Sequence, residues 1–271
     1  MNPPALKAVL SIAGSDPGAG AGLQADLRTF DRLGLYGLGV ITAITSQNTI
    51  GVSGVHPLDA ALVKEQLGVL LADIKPRAMK TGMLATAAIA EAVAGGIAEA
   101  GGAPLVVDPV LKSTGGGSLA EPELARTIRE KLLPLCRVVT PNLSEAAVLA
   151  GASVRTLDDA REAAAELVAL GAAAACVTGG HLDGDPADVL CDGGRMTVIQ
   201  GRRAGDAREY HGTGCLFSAA LAAFLALGAD LETAVRSAHE YVAGGIAAAV
   251  APGHGLRTPW PLRLEPGPGK L

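Results

Sequence analysis

The sequence predicts an α/β fold, a central and mostly parallel sheet with helices on both faces. Three observations predict it. Short apolar runs rich in β-branched residues alternate with longer helical segments along nearly the whole chain, the pattern of repeated strand–helix–strand units. Hydrophobic residues make up 49% of the sequence but aromatics only 3%, so the core must be Ala, Val, Leu and Ile, which suits helices packed tightly on a parallel sheet. No repeat, low-complexity linker or break in composition divides the chain, so residues 1–271 read as one large domain.

The elements follow in order. Lys7-Ala8-Val9-Leu10-Ser11-Ile12-Ala13-Gly14 contains a buried strand, 8–13, which runs through a Gly-rich turn into a helix, 20–33, with Leu23, Leu27 and Phe30 on one face. The β-branched run Val40-Ile41-Thr42-Ala43-Ile44-Thr45 centres a strand at 38–45. Helix 59–74, strand 78–81, helix 86–100, strand 105–108, helix 121–133 and strand 137–140 continue the alternation. Asn142 caps helix 143–150, and helix 157–170 leads to strand 174–178. A more polar pair, 187–191 and 197–201, is joined by Asp192-Gly193-Gly194-Arg195, a hairpin signal. Helix 215–227 closes at Gly228, and helix 231–249 takes Asp230 as its N-cap. Beyond Ala251, Pro252, Pro259, Pro261, Pro266 and Pro268 mark an irregular surface strap.

Composition excludes several classes of function. A formal charge of −5 with no basic run speaks against nucleic acid as a partner. Residues 33–58 are uncharged, but their glycines, Gln47, Asn48, Pro57 and strand-like centre place them in a soluble core. The second apolar stretch, 210–229, leaves about 15 apolar residues after its Gly-rich turn, short of the roughly 20 that a membrane span needs. Cys136, Cys176, Cys191 and Cys215 form no C-x-x-C and read as reduced core cysteines, without a zinc site or disulfide frame. The apolar run 8–13 is too short for a signal peptide, and a cytoplasmic location is expected.

His211-Gly212-Thr213-Gly214-Cys215 is the most informative stretch, because it opens a long small-apolar helix. The two glycines allow a tight turn whose N–H groups converge, and the helix adds its unpaired donors and positive dipole end. That combination makes an anion site. A thiol on the first turn of such a helix is expected to have a lowered pKa and to serve as base or nucleophile. A plain helix start with a buried cysteine would carry the same letters. The other Gly-rich turn, Ser15-Asp16-Pro17-Gly18-Ala19-Gly20-Ala21-Gly22, does not read as a dinucleotide fingerprint: from Gly18 the third glycine is replaced by Leu23, from Gly20 only the relaxed form ending in Ala25 fits, and residues 33–58 lack the ribose-binding acid. There is no G-x-x-x-x-G-K-[ST].

In doubly wound sheets ligands sit beyond the carboxyl ends of the strands. Gly14, Gln47, Thr81-Gly82-Met83, Asp108, Thr140-Pro141-Asn142 and Gly179 all fall at such ends, so one site can gather them. Asn142 and Glu145 share the first turn of a helix at i and i+3, although an N-cap followed by an acid is also ordinary helix chemistry. Asp108 ends a hydrophobic strand, where a carboxylate is costly unless it meets a cation or donors.

Eight blocks then carry a resemblance. They are Ala13-Gly14-Ser15-Asp16-Pro17 with Gly20-Ala21-Gly22-Leu23-Gln24-Ala25-Asp26; Thr42-Ala43-Ile44-Thr45-Ser46-Gln47-Asn48-Thr49; Thr81-Gly82-Met83-Leu84; Val107-Asp108-Pro109-Val110; Thr140-Pro141-Asn142-Leu143-Ser144-Glu145-Ala146; Gly179-Gly180-His181; and the segment 211–215. In this order, over nearly the whole chain, they closely resemble the hydroxymethylpyrimidine/phosphomethylpyrimidine kinases of thiamine biosynthesis, a branch of the ribokinase-like superfamily. The resemblance implies a Mg²⁺-dependent kinase with ATP as co-substrate and a small-molecule substrate, and a homodimer is the expected assembly. It implies Cys215 as base, with Gly212, Thr213 and Gly214 as backbone donors. Gln47, Asp26, Gly14, Met83 and Val110 would face the pyrimidine. Asn142, Glu145, Thr178, Gly180 and Lys112 would lie on the ATP side, with Asp108 and Glu145 toward the metal. Two features depart from the branch: Thr178 stands where it usually has Lys, and the segment from Leu111 to Gly117 is altered while keeping Lys112 on a Gly-rich flap. A pyridoxal kinase of the same superfamily, or a pyrimidine-binding protein with weak catalysis, are the alternatives.

Overall fold

The computed structural model describes residues 7–111, 122–180, 182, 184–203 and 210–263. Strand β1 (Ala8–Ser15) is buried almost throughout, as expected for a central parallel strand. A Gly-rich turn leads to α1 (Gly22–Arg32), then β2 (Tyr36–Gln47), which is longer than the predicted 38–45. The sequence reading missed β3 (Val52–Pro57), which pairs antiparallel with the end of β2. Gly51 before it and Gly54 and Pro57 within it read as loop, and the pairing comes from tertiary contact with β2. After β3 come α2 (Ala60–Asp73), β4 (Ala78–Thr81), α3 (Ala87–Ala100) and β5 (Leu105–Val107).

The predicted helix 121–133 is interrupted. Helix α4 (Pro122–Thr127) passes into a π-helical turn, Ile128–Leu132, and a 3-10 turn, Leu133–Leu135. Pro134, lacking an N–H, cannot continue an α-helix there. Then follow β6 (Val138–Val139), α5 (Leu143–Ala150), α6 (Leu157–Ala169), β7 (Ala174–Val177), the hairpin β8 (Ala187–Asp192) and β9 (Arg195–Gln200), α7 (Thr213–Leu227) and α8 (Leu231–Ala247). Asn142 and Asp230 cap α5 and α8 as predicted, Asn142 in a full capping box with Glu145.

Among the described residues nine strands form one sheet in the order β3-β2-β1-β4-β5-β6-β7-β8-β9. From β2 through β1, β4, β5 and β6 to β7 the pairings are parallel, with antiparallel pairings at β2–β3, β7–β8 and β8–β9. Because side chains alternate along a strand, Leu105 and Val107 enter one core layer and Val106 the other. The first layer packs under α2, α3, α5 and α6; the second lies under α1, α7 and α8. Helix α7 is buried along most of its length because Ala219, Ala220, Ala222 and Ala223 let it sit close to its neighbours. Phe30 of α1 is fully buried in the second layer, which contributes about 1.5–3 kcal/mol. Cys136, Cys176 and Cys191 are buried and unpaired, as the sequence predicts. Among the described residues no helix is long and apolar enough to cross a membrane.

Candidate active site

The carboxyl ends of β1, β2, β4, β5, β6 and β7 open into a cavity of about 830 Å³, closed on one side by the start of α7. Of the predicted site residues, Gly14, Gln47, Met83, Asp108, Val110, Asn142, Glu145, Thr178, Gly180, Gly212, Thr213, Gly214 and Cys215 all line it. Lys112 and His181 lie outside the described residues.

Two glycine turns meet at the α7 end. Gly212 caps α7 in the left-handed region, at φ 89°, and an added Cβ would come within 2.0 Å of the Gly20 carbonyl. Glycine is therefore required twice over at this position. The N–H groups of the first turn of α7 have no intrahelical acceptor and border the cavity, as an anion site needs. The facing turn is organised by Asp16, whose carboxylate accepts from the N–H groups of Gly18 (2.8 Å), Gly20 (3.1 Å) and Ala21 (2.9 Å). Burial works to raise the Asp16 pKa, but His211 and these donors outweigh it and hold the carboxyl below its usual range. His211 Nε2 lies 3.3 Å from Asp16 Oδ2 and 2.7 Å from the Gln47 side-chain amide.

Gln47 ends β2, with Met83 and Val110 as apolar walls nearby in the lining. Gly14 makes room for Met83: a Cβ at position 14 would lie 2.3 Å from Met83 Cε. The Thr42 hydroxyl donates to the Met83 carbonyl at 2.6 Å and fixes that turn.

Asp26 is not in the lining. Its carboxylate is fully buried, paired with Lys80 Nζ at 2.7 Å and accepting from the Ser11 hydroxyl at 2.6 Å. Lys80 lines the cavity in its stead, so the sequence expectation of a substrate-facing Asp26 is corrected to a carboxylate that holds a buried ammonium. Lys80, on β4, both lines the cavity and holds the fully buried Asp26. Burial disfavours the Lys80 charge, but Asp26 more than offsets it and holds the ammonium above its ordinary pKa. The sequence reading missed Lys80, although a lysine inside an apolar strand was a usable signal.

Cys215 sits half-buried on the first turn of α7. Burial pushes its thiol up to about 12; Lys80 works against that, while Asp108 and Asp26 reinforce it. The expected lowered pKa is thus overturned: desolvation beside two carboxylates outweighs the ammonium and the helix terminus. Asp108 follows β5 and accepts from the Ser218 hydroxyl at 2.7 Å. Its pKa is raised by burial, against Lys80 and Ser218. Glu145 accepts from the N–H of Asn142 at 3.0 Å, and it is pushed up to about 8 by burial and then by the charge of Asp108. Two buried carboxylates that repel each other suit a divalent cation, and Mg²⁺ is commonly held by one or two carboxylates, with water and phosphate oxygens completing its shell. No cluster of three or more His, Cys, Asp or Glu residues that could hold a metal occurs among the described residues.

The far wall was less legible. Thr178 continues from β7, its N–H donating to the Pro141 carbonyl at 2.9 Å. Asp188 of β8 accepts from the Gly179 N–H at 3.0 Å and pairs with His239 Nδ1 of α8 at 2.7 Å, fixing the turn at 179–180. Arg203 binds the carbonyls of Leu182 and Gly184, both at 2.7 Å. These groups come from distant segments, and no sequence pattern joins them.

Backbone donors at a helix start, a buried acidic pair and an apolar end in one cavity of an α/β scaffold are the parts that a small-molecule phosphotransferase needs. Comparison narrows the class. The family described as phosphomethylpyrimidine kinase matches residues 16–260, and the chain belongs to it. A hydroxymethylpyrimidine/phosphomethylpyrimidine kinase from Streptomyces coelicolor is 44% identical over 248 residues, 92% of this chain and 91% of that protein. Among solved structures, a phosphomethylpyrimidine kinase from Clostridium difficile is 37% identical with a TM-score of 0.77, covering 87% of this chain and 97% of that one. An ADP complex of Bacillus subtilis pyridoxal kinase is 38% identical with a TM-score of 0.88, covering 94% and 97%.

Proposed function

We propose that the protein transfers the γ-phosphoryl group of ATP to the hydroxymethyl of 4-amino-5-hydroxymethyl-2-methylpyrimidine, and then phosphorylates the monophosphate to the diphosphate used in thiamine assembly. The observation that supports this most is the placement of Gln47, Met83 and Val110 in the same cavity as the first turn of α7. Gln47 offers a donor and an acceptor side by side to an aminopyrimidine edge, and Met83 and Val110 flank a flat ring. The first-turn N–H groups from Thr213 to Cys215 stabilise the transferring group by fixed dipoles, and loss of one such donor typically costs about 2.7–4 kcal/mol in the barrier. Cys215 takes the hydroxymethyl proton, and Lys80, backed by Asp26, supplies the positive charge that favours its thiolate. Asp108 and Glu145 are placed to hold Mg²⁺, which would spread the negative charge of the phosphates. Thr178 and Gly180 line the side toward the nucleotide.

Coupled-assay turnover on the pyrimidine alcohol, its monophosphate and pyridoxal tests this reading, with titration calorimetry for binding. Turnover of the two pyrimidines above pyridoxal supports it. Preference for pyridoxal would favour the second reading, to which the likeness to the Bacillus subtilis pyridoxal kinase gives weight. Binding of the pyrimidine without turnover would leave a binding protein. We further propose a cytoplasmic homodimer, which light scattering on the purified protein would check.

A further inference from the structure

The groups around Gln47 determine which end of its amide faces which neighbour. Gln47 Nε2 is placed 2.7 Å from His211 Nε2, and Gln47 Oε1 3.3 Å from Thr45 Oγ1. The oxygen and nitrogen ends of an amide are nearly isosteric, so the hydrogen-bond network decides between them. The Thr45 hydroxyl has one proton, and the Ser15 carbonyl takes it at 2.9 Å. Toward Gln47, Thr45 Oγ1 can then only accept, so it faces the amide NH₂. On the opposite side His211 Nε2 faces Asp16 Oδ2 at 3.3 Å as well as Gln47. An ionised carboxylate only accepts, so an unprotonated Nε2 would set lone pair against lone pair. Nε2 therefore carries a proton and faces the amide oxygen. Both neighbours thus favour the amide turned end for end, its oxygen toward His211 and its nitrogen toward Thr45.

We propose that His211, held by Asp16, acts with Thr45 to lock the polarity of the Gln47 amide, so that Gln47 reads a ring edge in one sense only. The oxygen keeps a free lone pair on the His211 side, and the nitrogen keeps a second N–H on the Thr45 side. The ligand class that fits is a flat heteroaromatic ring whose acceptor nitrogen stands beside an exocyclic N–H donor. A 4-oxo ring, with N–H and carbonyl in the same places, has the reversed pattern and would need the amide to flip. The His211 ring packs close to the Gly20 backbone, where a Cβ would come within 2.9 Å of Cδ2, and the His211 backbone N–H is anchored on the Arg257 carbonyl at 2.9 Å. His211 and Thr45 are positioning residues here, acting through Gln47. The inference rests on the reading that Gln47 meets the substrate ring.

The test is the ratio of kcat/KM for 4-amino-5-hydroxymethyl-2-methylpyrimidine to that for its 4-oxo analogue, with the KM for ATP measured alongside. His211→Phe keeps the ring bulk and removes the donor; Thr45→Val removes the hydroxyl. Each is expected to lower the amino/oxo ratio by about tenfold or more with the KM for ATP unchanged, since a buried mismatch no longer penalises the flipped amide. His211→Asn, which restores a donor, should recover part of the ratio. If His211→Phe fails to fold, Thr45→Val and His211→Asn carry the test. A ratio unchanged in His211→Phe and in Thr45→Val but lost in Gln47→Leu overturns the lock and leaves Gln47 as the ring reader. A ratio unchanged in Gln47→Leu removes the reading itself and the lock with it.

Discussion

At the Gln47 end of the cavity the polar side chains hold one another before a ligand arrives: Gln47, Thr45, His211 and Asp16 form one connected set of hydrogen bonds. At the Cys215 end the charges are poorly matched. Asp108 and Glu145 repel, and the nearby ammonium, Lys80, already serves Asp26. A preset hydrogen-bond network suits a neutral ring, whose recognition depends on direction. Raised carboxylates and a raised thiol suit a site completed by its charged ligands, where mismatch in the free protein is relieved in the loaded one. Changes at the first end should alter substrate choice, and changes at the second should alter turnover and stability.

The largest effect is expected from Lys80→Met. Removing one member of a buried ion pair strands the other, at about 3–5 kcal/mol. Urea unfolding of the variant should show that loss, and Asp26→Leu added to Lys80→Met should restore much of the stability without restoring turnover. A single variant as stable as wild type would mean that Asp26 is not held by this pair.

Cys215→Ser comes next, with kcat expected to fall about 10²–10⁴-fold, the usual range for a general base. Because the thiol is pushed up to about 12, kcat/KM of the wild type should climb as pH rises from neutral into the alkaline range. Serine should flatten that climb. Iodoacetamide should reach Cys215 ahead of the buried Cys136, Cys176 and Cys191, and the pyrimidine should protect it. Near wild-type kcat in the serine variant would sink the base assignment and spare the backbone donors.

A smaller effect separates the two ends by pH. Glu145 moves from 4.5 to about 8 on folding, so the folded state prefers the protonated acid. Its contribution is fully present below 4.5 and is lost as pH rises through about 8. The Tm of the ligand-free protein should therefore fall from pH 5 to 8, and MgADP should stabilise more strongly at the upper end. Glu145→Gln should remove most of this slope. A slope that survives the substitution would assign the pH dependence to other groups.

The parallel strands and all but one of the helices were legible because buried strands read as apolar runs and the caps at Asn142 and Asp230 are local chemistry. The placement of Gly14, Gln47, Asp108 and Asn142 around one cavity followed from strand ends alone. What was not legible depends on contacts across the chain. Strand β3 exists because β2 offers an edge, the helix after residue 127 yields to Pro134, and Asp26 turns inward because Lys80 meets it from a strand 54 residues away. The Cys215 thiol was misread for the same reason: a helix terminus is visible in sequence, but the desolvation that outweighs it is not.

The smallest expected effect lies at Thr178, on the wall between the two ends. Its hydroxyl contacts the Pro141 carbonyl at 3.4 Å, and the residue lines the cavity, so a lysine there could extend toward phosphate oxygens. Arg202 lines the same cavity, and its guanidinium has no partner among the described residues, whereas Arg203 is held by loop carbonyls. A cation is thus already available on this wall, and an added one gains only the modest worth of a solvent-exposed pair, about 0.2–1 kcal/mol. Thr178→Lys should therefore lower the KM for MgATP by less than about fivefold and leave the amino/oxo preference of the ring end unchanged. In an Arg202→Ala background, where MgATP should bind more weakly, the same lysine should gain more. Equal gains in both backgrounds would show that Arg202 does not serve the nucleotide, and a shift in ring preference would show that the two ends of the cavity are coupled.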